Sequence, residues 1–377
     1  MFDDSRRPVF NEDHNMFRDQ VRTFLSREVE PYHEQWERDG MVSREVWDKA
    51  AEAGILCPTV AEEDGGLGLD TLFSVVIIEE LGRIGASGPG FWIHSEMVAP
   101  YIQNFGSKEQ RTQWLPKMIS GEAIGAVAMT EPGAGSDLKG IRSSARREGN
   151  GWLLNGQKVF ISNGQMADVV VTAAKTEDGR ISLFLVDAKI DGFRRGKNLD
   201  KLGAHAQDTS ELFFDNMHLP ADALLGEEGK GFSYLMRGLA RERMSIAASC
   251  VAKAEGAFAK TVDYVKDRRL FNQGLLEFQN TRFALADVKT ELTVGRAYVD
   301  DLLRRYIEGD LDGDTAAMAK LWTTEMLGRT VDACLQLHGG WGYMNEYAIC
   351  KAYADARVER IAGGASEVMR EIIGRTI

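Results

Sequence analysis

The chain has 377 residues, with 45 Lys+Arg against 57 Asp+Glu and a formal charge of −12. That length exceeds the roughly 250–300 residues at which one core stops growing, so two or three domains are expected. Ordinary globular composition (44% hydrophobic, 27% charged) excludes a disordered or collagen-like chain, and the acidic balance argues against sequence-blind nucleic-acid binding, which needs basic surface.

The first segment, 1–122, reads as helical. Phe17, Val21, Phe24, Leu25 and Val29 recur at helical spacing, and Pro31 marks the end of that helix. Trp47, Ala50 and Ala51 suggest a second helix ending near Gly54. A Gly-rich turn at 63–69 follows, after which Phe73, Val76, Ile77, Glu80 and Leu81 resume the period. Helical sequence at Ser107–Ile119 closes the segment. The amino terminus carries no apolar core of a signal peptide, and no apolar run approaches the 18 or more residues of a spanning helix. Four cysteines (Cys57, Cys250, Cys334, Cys350) lack CxxC spacing and suit a reducing compartment. A cytoplasmic protein without a membrane span is expected.

Between 123 and 225 the punctuation changes. Asn150-Gly151, Asn155-Gly156, Asn163-Gly164, Asp178-Gly179 and Asp191-Gly192 are turn dipeptides. The intervening Trp152–Leu154, Val159–Ile161, Val169–Thr172, Ile181–Val186 and Glu211–Phe214 read as short strands of a sandwich or barrel. From 226 to 377 the helical period returns. Phe232, Leu235, Met236 and Leu239 carry it first, then Val251–Val265, then Leu285–Leu303. A break at Asp310–Asp314 offers Asp314 or Thr315 as the next N-cap. The expected fold is mainly α with a central β domain: an N-terminal helical domain, a β-sandwich or barrel, and a C-terminal four-helix bundle.

Five strings carry chemistry. Met129-Thr130-Glu131-Pro132-Gly133-Ala134-Gly135-Ser136-Asp137 offers glycines for close backbone approach and hydroxyls that can donate. In Lys158–Asn163, strand alternation places Phe160 and Ser162 on one face, an aromatic beside a hydroxyl. Tyr264–Phe271 supplies Arg268, whose planar fork of donors suits phosphate. Gln336-Leu337-His338-Gly339-Gly340-Trp341-Gly342-Tyr343 leads to Glu346, Lys351 and Asp355, and Ile361–Glu367 forms a Gly turn into a last helix. No GxGxxG follows a strand, which removes the central feature of a Rossmann dehydrogenase.

Together these strings resemble the acyl-CoA dehydrogenase family over nearly the whole chain, with the TEPGAGSD and QxxGGxGY patterns complete and in order. The branch most similar is the long-chain one, through HAQDTSELFF (205–214) and LHGGWGYM (337–344). The resemblance implies a flavoprotein of fatty acid β-oxidation that binds FAD non-covalently, oxidises an acyl-CoA substrate to its trans-2-enoyl-CoA and passes electrons to electron-transferring flavoprotein. It implies that Met129, Thr130, Ser136, Phe160 and Ser162 contact the flavin, with Ser136 also near the CoA. Arg268, Phe271, Gln279, Gln336, Gly339 and Gly340 match residues that reach a neighbouring subunit's FAD, in a family usually built as a homotetramer (a dimer of dimers). Ala365, Ser366 and Glu367 match the loop beside the FAD diphosphate and adenosine.

The chemistry needs a base for the α-proton, and a carboxylate suits it when a dry site raises its affinity for protons. Many relatives carry that Glu just before the last Gly loop, where this chain has Gly363; Glu359 and Glu367, four residues to either side, do not match. Other relatives carry it on an earlier helix, at the position of Glu242 in Leu239-Ala240-Arg241-Glu242-Arg243-Met244. Glu242 is therefore the expected base. The Gly363 N–H is the expected donor to the thioester carbonyl, and Gly364 and Arg243 are expected beside the substrate. Ala240 stands where some relatives have Asp, and Asn272 where a Gly often follows Phe271. An oxygen-using acyl-CoA oxidase and a non-catalytic acyl-CoA-binding protein of the same fold are the alternatives.

Overall fold

The computed structural model describes residues 4–377. Six α-helices come first: α1 (Glu12–Glu28), α2 (Glu30–Asp39), α3 (Glu45–Glu52), α4 (Thr71–Ile84), α5 (Ala99–Phe105) and α6 (Lys108–Ile119). A π-helical segment, Ile93–Val98, runs into α5. Pro31 does not stop the chain from being helical. It sits in the first turn of α2, where its missing N–H is one of those a helix start leaves unpaired anyway. Ser107 caps α6 by a reciprocal pair with Gln110.

The sheet follows: β1 (Gly125–Ala128), β2 (Ser144–Glu148), β3 (Gly151–Ser162), β4 (Val169–Lys175), β5 (Ile181–Asp187), β6 (Phe193–Asn198), β7 (Thr209–Leu219) and β8 (Leu224–Leu225). The strand path is β6-β7-β3-β2-β4-β5-β8, with β1 parallel to β4. β2 and β4 join at one register pair only, Ser144 with Lys175. The sheet therefore folds into two layers of four strands. Trp152 on β3 meets Phe184 on β5 edge to face at 5.2 Å, inside a core that includes Leu154, Val170, Leu212 and Phe214. The alternate residues of β4 and β5 (Val169, Val171, Leu183, Leu185) pack outward on Val98, Ala99, Tyr101 and Met118. One expectation needs correcting: Asn155-Gly156 is no hairpin turn but an irregularity inside one long strand, where the register to β7 shifts and Gly156 has φ +155°.

The last segment holds α7 (Gly231–Asp267), a hairpin of β9 (Arg269–Leu270) and β10 (Gln273–Gly274), α8 (Gln279–Ile307), α9 (Gly313–His338), α10 (Ala348–Glu359) and α11 (Ser366–Gly374). The 37-residue α7 is the spine, packing on α4, α8, α9 and α10. The N-cap of α9 is Asp312, which accepts from the Thr315 N–H at 2.6 Å, rather than Asp314 or Thr315. Among the described residues no helix is long and apolar enough to cross a membrane, and no cluster of His, Cys, Asp or Glu could hold a metal.

Candidate active site

The site begins with a stripe on α7. Gly238, Glu242 and Ile246, four residues apart, share one helix face. Glu242 is only 6% exposed. Tyr101, on α5, donates its hydroxyl to Glu242 Oε1 at 3.3 Å. Gly238 leaves the room for that contact: a Cβ there would stand 3.0 Å from the Tyr101 hydroxyl and 3.1 Å from Glu242 Oε1. Burial pushes the Glu242 carboxyl up to about 7, and the Tyr101 donor, Arg243 and Arg241 offset only part of it.

Neither neighbouring arginine forms a salt bridge with it among the described residues. Arg241 turns away to Glu96, which also accepts from Ser74, and to Thr59 at 3.3 Å. It lines a cavity of about 390 Å³ together with Gln103, Asn104 and Tyr306. Arg243 is buried and reaches only the Gly313 carbonyl, at 3.5 Å, leaving its Nε without a partner. Burial lowers its affinity for the proton. Glu242 is thus a buried acid faced by one neutral donor.

Gly363 stands beside the same stripe. Its φ is +63°, and a Cβ there would lie 2.4 Å from Ile246 Cδ1, one helical turn beyond Glu242. A side chain at 363 would be strained by that φ and would require the tip of Ile246 to move. Gly364 has φ +100°, and its carbonyl accepts from the fully buried Lys320 ammonium at 2.6 Å. The Gly363 N–H donates to no other described group. Glu359 is tied to Lys253 at 2.5 Å, and Glu367 is exposed on the first turn of α11. Ser366 is turned inward: its hydroxyl donates to Glu325 at 2.9 Å and its N–H to the Arg360 carbonyl at 3.1 Å.

The TEPGAGSD loop leaves the end of β1. Met129 packs in the same apolar cluster as Tyr101, Tyr234 and Leu235, which ties this loop to the Glu242 neighbourhood. The Thr130 carbonyl accepts from the Val159 N–H at 3.0 Å. Below the loop lies a buried ion pair. Lys158, fully buried, donates to Glu131 at 2.8 Å and to the Met129 carbonyl at 3.0 Å, and Glu131 also accepts from the N–H groups of Arg142 and Ser143. Held from beneath, the loop presents Gly133, Gly135 and Ser136 to solvent, with nothing within 4 Å of a Cβ at either glycine. Phe160 sits in a bulge where β3 has one residue more than β7 between Lys158 and Ile161. Its φ is +61° and it is 66% exposed. A bulky residue in that conformation costs about 1–3 kcal/mol and is a common mark of a functional position. Ser162, half-buried, ends the strand.

The remaining expected residues gather elsewhere. Arg268, Phe271 and Gln279 are exposed around the β9–β10 hairpin. Phe271 and Asn272 have φ of +49° and +65°, the two left-handed residues of a tight hairpin, so Asn272 serves where Gly is frequent. Gln336 lies in the last turn of α9, Gly339 and Gly340 open the 3-10 turn that follows it, and Tyr264 stacks on His338 at 4.1 Å, joining this end of α9 to the end of α7. Arg268 lies twenty-six residues beyond Glu242 on or just after the unbroken α7, about 39 Å at 1.5 Å per residue. The candidate residues therefore form two groups at opposite reaches of one helix. Sequence reading missed Tyr101, Gly238, Ile246 and the Glu131–Lys158 anchor. The one signal the sequence holds for the α7 pair is the four-residue spacing of Gly238, Glu242 and Ile246.

Helices, a two-layered sheet and a helical bundle in that order, with a Gly-rich loop at the first junction, define the acyl-CoA dehydrogenase fold. Three family profiles match in series: Acyl-CoA dehydrogenase, N-terminal domain at 11–122; middle domain at 126–217; and C-terminal domain at 229–377. The chain belongs to the acyl-CoA dehydrogenase family and is an enzyme of it. It is 49% identical to the mitochondrial long-chain specific acyl-CoA dehydrogenase of Rattus norvegicus, over 98% of this chain and 88% of that protein. The crystal structure of an acyl-CoA dehydrogenase from Geobacillus kaustophilus superposes with a TM-score of 0.96 at 45% identity, covering 98% and 99% of the two chains. A glutaryl-CoA dehydrogenase from Mycobacterium smegmatis, solved with FADH2, superposes with a TM-score of 0.93 at 29% identity, covering 100% and 96%. The open glycines, the exposed and strained Phe160 and the free hydroxyl of Ser136 suit a flat ring with polar edges.

Proposed function

We propose that this enzyme oxidises a long-chain acyl-CoA to its trans-2-enoyl-CoA, with Glu242 removing the α-proton. FAD, when bound, supplies the acceptor for the β-hydride. The observation that carries this reading is a carboxylate 6% exposed, brought by burial to about 7, beside a Gly363 that carries no side chain and whose left-handed backbone disfavours one. A base with an affinity near the working pH is ionised often enough to act and strong enough to take the proton. The α-C–H electrons move into the new double bond as the β-hydride leaves. The free Gly363 N–H stabilises charge on the thioester oxygen during that step. Arg243, Ser136 and Gly364 border the thioester and CoA.

In this reading Met129, Thr130, Ser136, Phe160 and Ser162 hold the flavin of their own subunit. Arg268, about 39 Å away along α7, serves the FAD of a neighbour together with Phe271, Gln279, Gln336, Gly339 and Gly340, which requires at least a dimer and fits a homotetramer built as a dimer of dimers. Ala365 and Glu367 lie toward the diphosphate, and Ser366 contributes by fixing the turn rather than by its own donors. Electrons leave to electron-transferring flavoprotein. A cytoplasmic location is the corresponding reading of four unpaired thiols.

The test is anaerobic bleaching of the flavin by a panel of acyl-CoAs. Glu242→Gln should keep bound flavin and acyl-CoA affinity while reduction slows by roughly 10³–10⁴. Reduction at a near-native rate would sink the assignment of the base. Hydrogen peroxide released in air without an acceptor protein would favour the oxidase reading.

A further inference from the structure

Tyr101 lies on α5, outside every string that sequence reading marked, and is 3% exposed. It is the only hydrogen-bond donor to Glu242 among the described residues, and its hydroxyl has no other described partner. We propose that the Tyr101 hydroxyl is the positioning group for the base: it fixes one Glu242 oxygen, leaves the other for the substrate proton, and favours the ionised carboxylate at neutral pH. This rests on Glu242 being the base.

The contact is built rather than incidental. The Tyr101 ring packs against Phe105 at 6.3 Å, and Phe105 stacks on Tyr234 of α7 at 4.0 Å, so the phenol is held from behind. Gly238 leaves open the one place on α7 where a Cβ would crowd both oxygens. A buried hydroxyl and a buried carboxylate each need a partner, and here each supplies the other. The charged groups nearby are engaged elsewhere. On α7, Arg241 faces Glu96 of the π-helical segment and Arg243 reaches toward the Gly313 carbonyl. Tyr306 of α8 lines the same cavity as Arg241, and Lys320 of α9 is held by the Gly364 carbonyl. Burial favours the neutral acid and the donated hydrogen bond favours the ionised one. Removing the donor must raise the pH at which the base becomes available.

The experiment measures the rate of anaerobic flavin reduction by acyl-CoA across pH in the FAD-loaded oligomer, for the native enzyme, Tyr101→Phe, Gly238→Ala and Glu242→Gln. Tyr101→Phe should move the acid limb up by about one pH unit, so that reduction is roughly tenfold slower near pH 6 and recovers in alkali. Gly238→Ala, which separates the two oxygens with the hydroxyl intact, should move the limb the same way. Binding of a non-reducible acyl-CoA thioether should change little. An unmoved limb with altered thioether affinity in Tyr101→Phe would make Tyr101 a wall of the acyl site and overturn the proposal. If Tyr101→Phe loses flavin or unfolds early, Gly238→Ala alone decides, by the same limb. Reduction surviving in Glu242→Gln would instead remove the reading on which the proposal stands.

Discussion

Glu79 on α4 and Glu242 on α7 are buried in adjoining helices and are opposites. Glu79 is fully buried, yet it accepts from Arg7 at 2.7 and 2.9 Å and from Arg296 at 2.5 Å, and pairs with Arg18 at 3.0 Å. Burial alone would push its carboxyl up; Arg296, Arg7 and Arg18 outweigh it and hold the group well below the usual carboxylate range. The network extends through Arg7 to Asp300, Arg296 to Glu255 and Arg18 to Glu80, binding α1, α4, α7 and α8. Glu242 has the burial without a salt bridge, and Tyr101, Arg243 and Arg241 offset only part of it. Desolvation raises an acid where its compensation is weak, so the surroundings separate a carboxylate held ionised from one poised near neutrality.

The comparison breaks most sharply at Glu79. Glu79→Gln leaves three guanidiniums facing a neutral amide, and unpairing a buried charge in this way costs about 3–5 kcal/mol. Urea unfolding of the FAD-loaded protein at pH 7 should show it. Because the folded-state affinity of Glu79 is depressed, the stabilisation is present above the unfolded carboxylate range and is lost as pH falls. A loss below about 1 kcal/mol would show that the surrounding acids replace Glu79.

Glu242→Gln should have the opposite sign. The folded carboxyl titrates at about 7 against an ordinary 4.5. Its contribution to stability is therefore present below about pH 4.5 and lost as pH rises to 7. Above that the ionised acid costs the fold up to about 3 kcal/mol, which the amide avoids. Glu242→Gln should unfold later than the native enzyme at pH 8, with the advantage shrinking toward pH 5. Equal stability at both pH values would mean that water or a moving side chain solvates Glu242.

Gly363→Ala sharpens the claim that 363 and 242 share one wall. The new Cβ meets Ile246 Cδ1 at 2.4 Å and sits at φ +63°. A loss of roughly 1–3 kcal/mol is expected. Ile246→Val removes that same methyl and should recover the steric part, leaving about 1 kcal/mol of backbone strain. No recovery would mean that the loop, not the α7 stripe, sets the space.

The helical and sheet segments were legible because period 3.6 and period 2 survive burial: α4, α7 and α8 kept their apolar stripes, and β4 and β5 their β-branched runs. Pro31 and Asn155-Gly156 misled because each is a local signal with two uses, a helix start or stop, a turn or a bulge. The choice of Glu242 as the proposed base rests on the resemblance and on Gly363 having no side chain, since helix spacing alone says nothing of its burial. Tyr101 was not readable, since an aromatic on a helix looks the same whether its hydroxyl meets water or a carboxylate 141 residues away. The Glu79 network was hidden for the same reason: Arg7, Arg18, Glu79 and Arg296 look solvated until the fold brings them together.

The smallest expected effect tests whether a depressed acid needs cations at all. Asp312, exposed at the start of α9, is held below the usual range first by the Thr315 N–H that it accepts, with Arg305 contributing last. Asp312→Ala should cost about 1 kcal/mol, the ordinary worth of an N-cap. The folded-state affinity is lowered, so this stability is present at neutral pH and is lost on acidification, as for Glu79 but at a fraction of the size. The next residue, Gly313, carries the carbonyl that Arg243 reaches at 3.5 Å, so fraying the first turn of α9 also frees a guanidinium that acts on Glu242. That contact is long, and the acid limb of flavin reduction should stay where it is. A limb moved downward would show that Arg243, once released, swings onto Glu242, and that α9 keeps this cation away from the base.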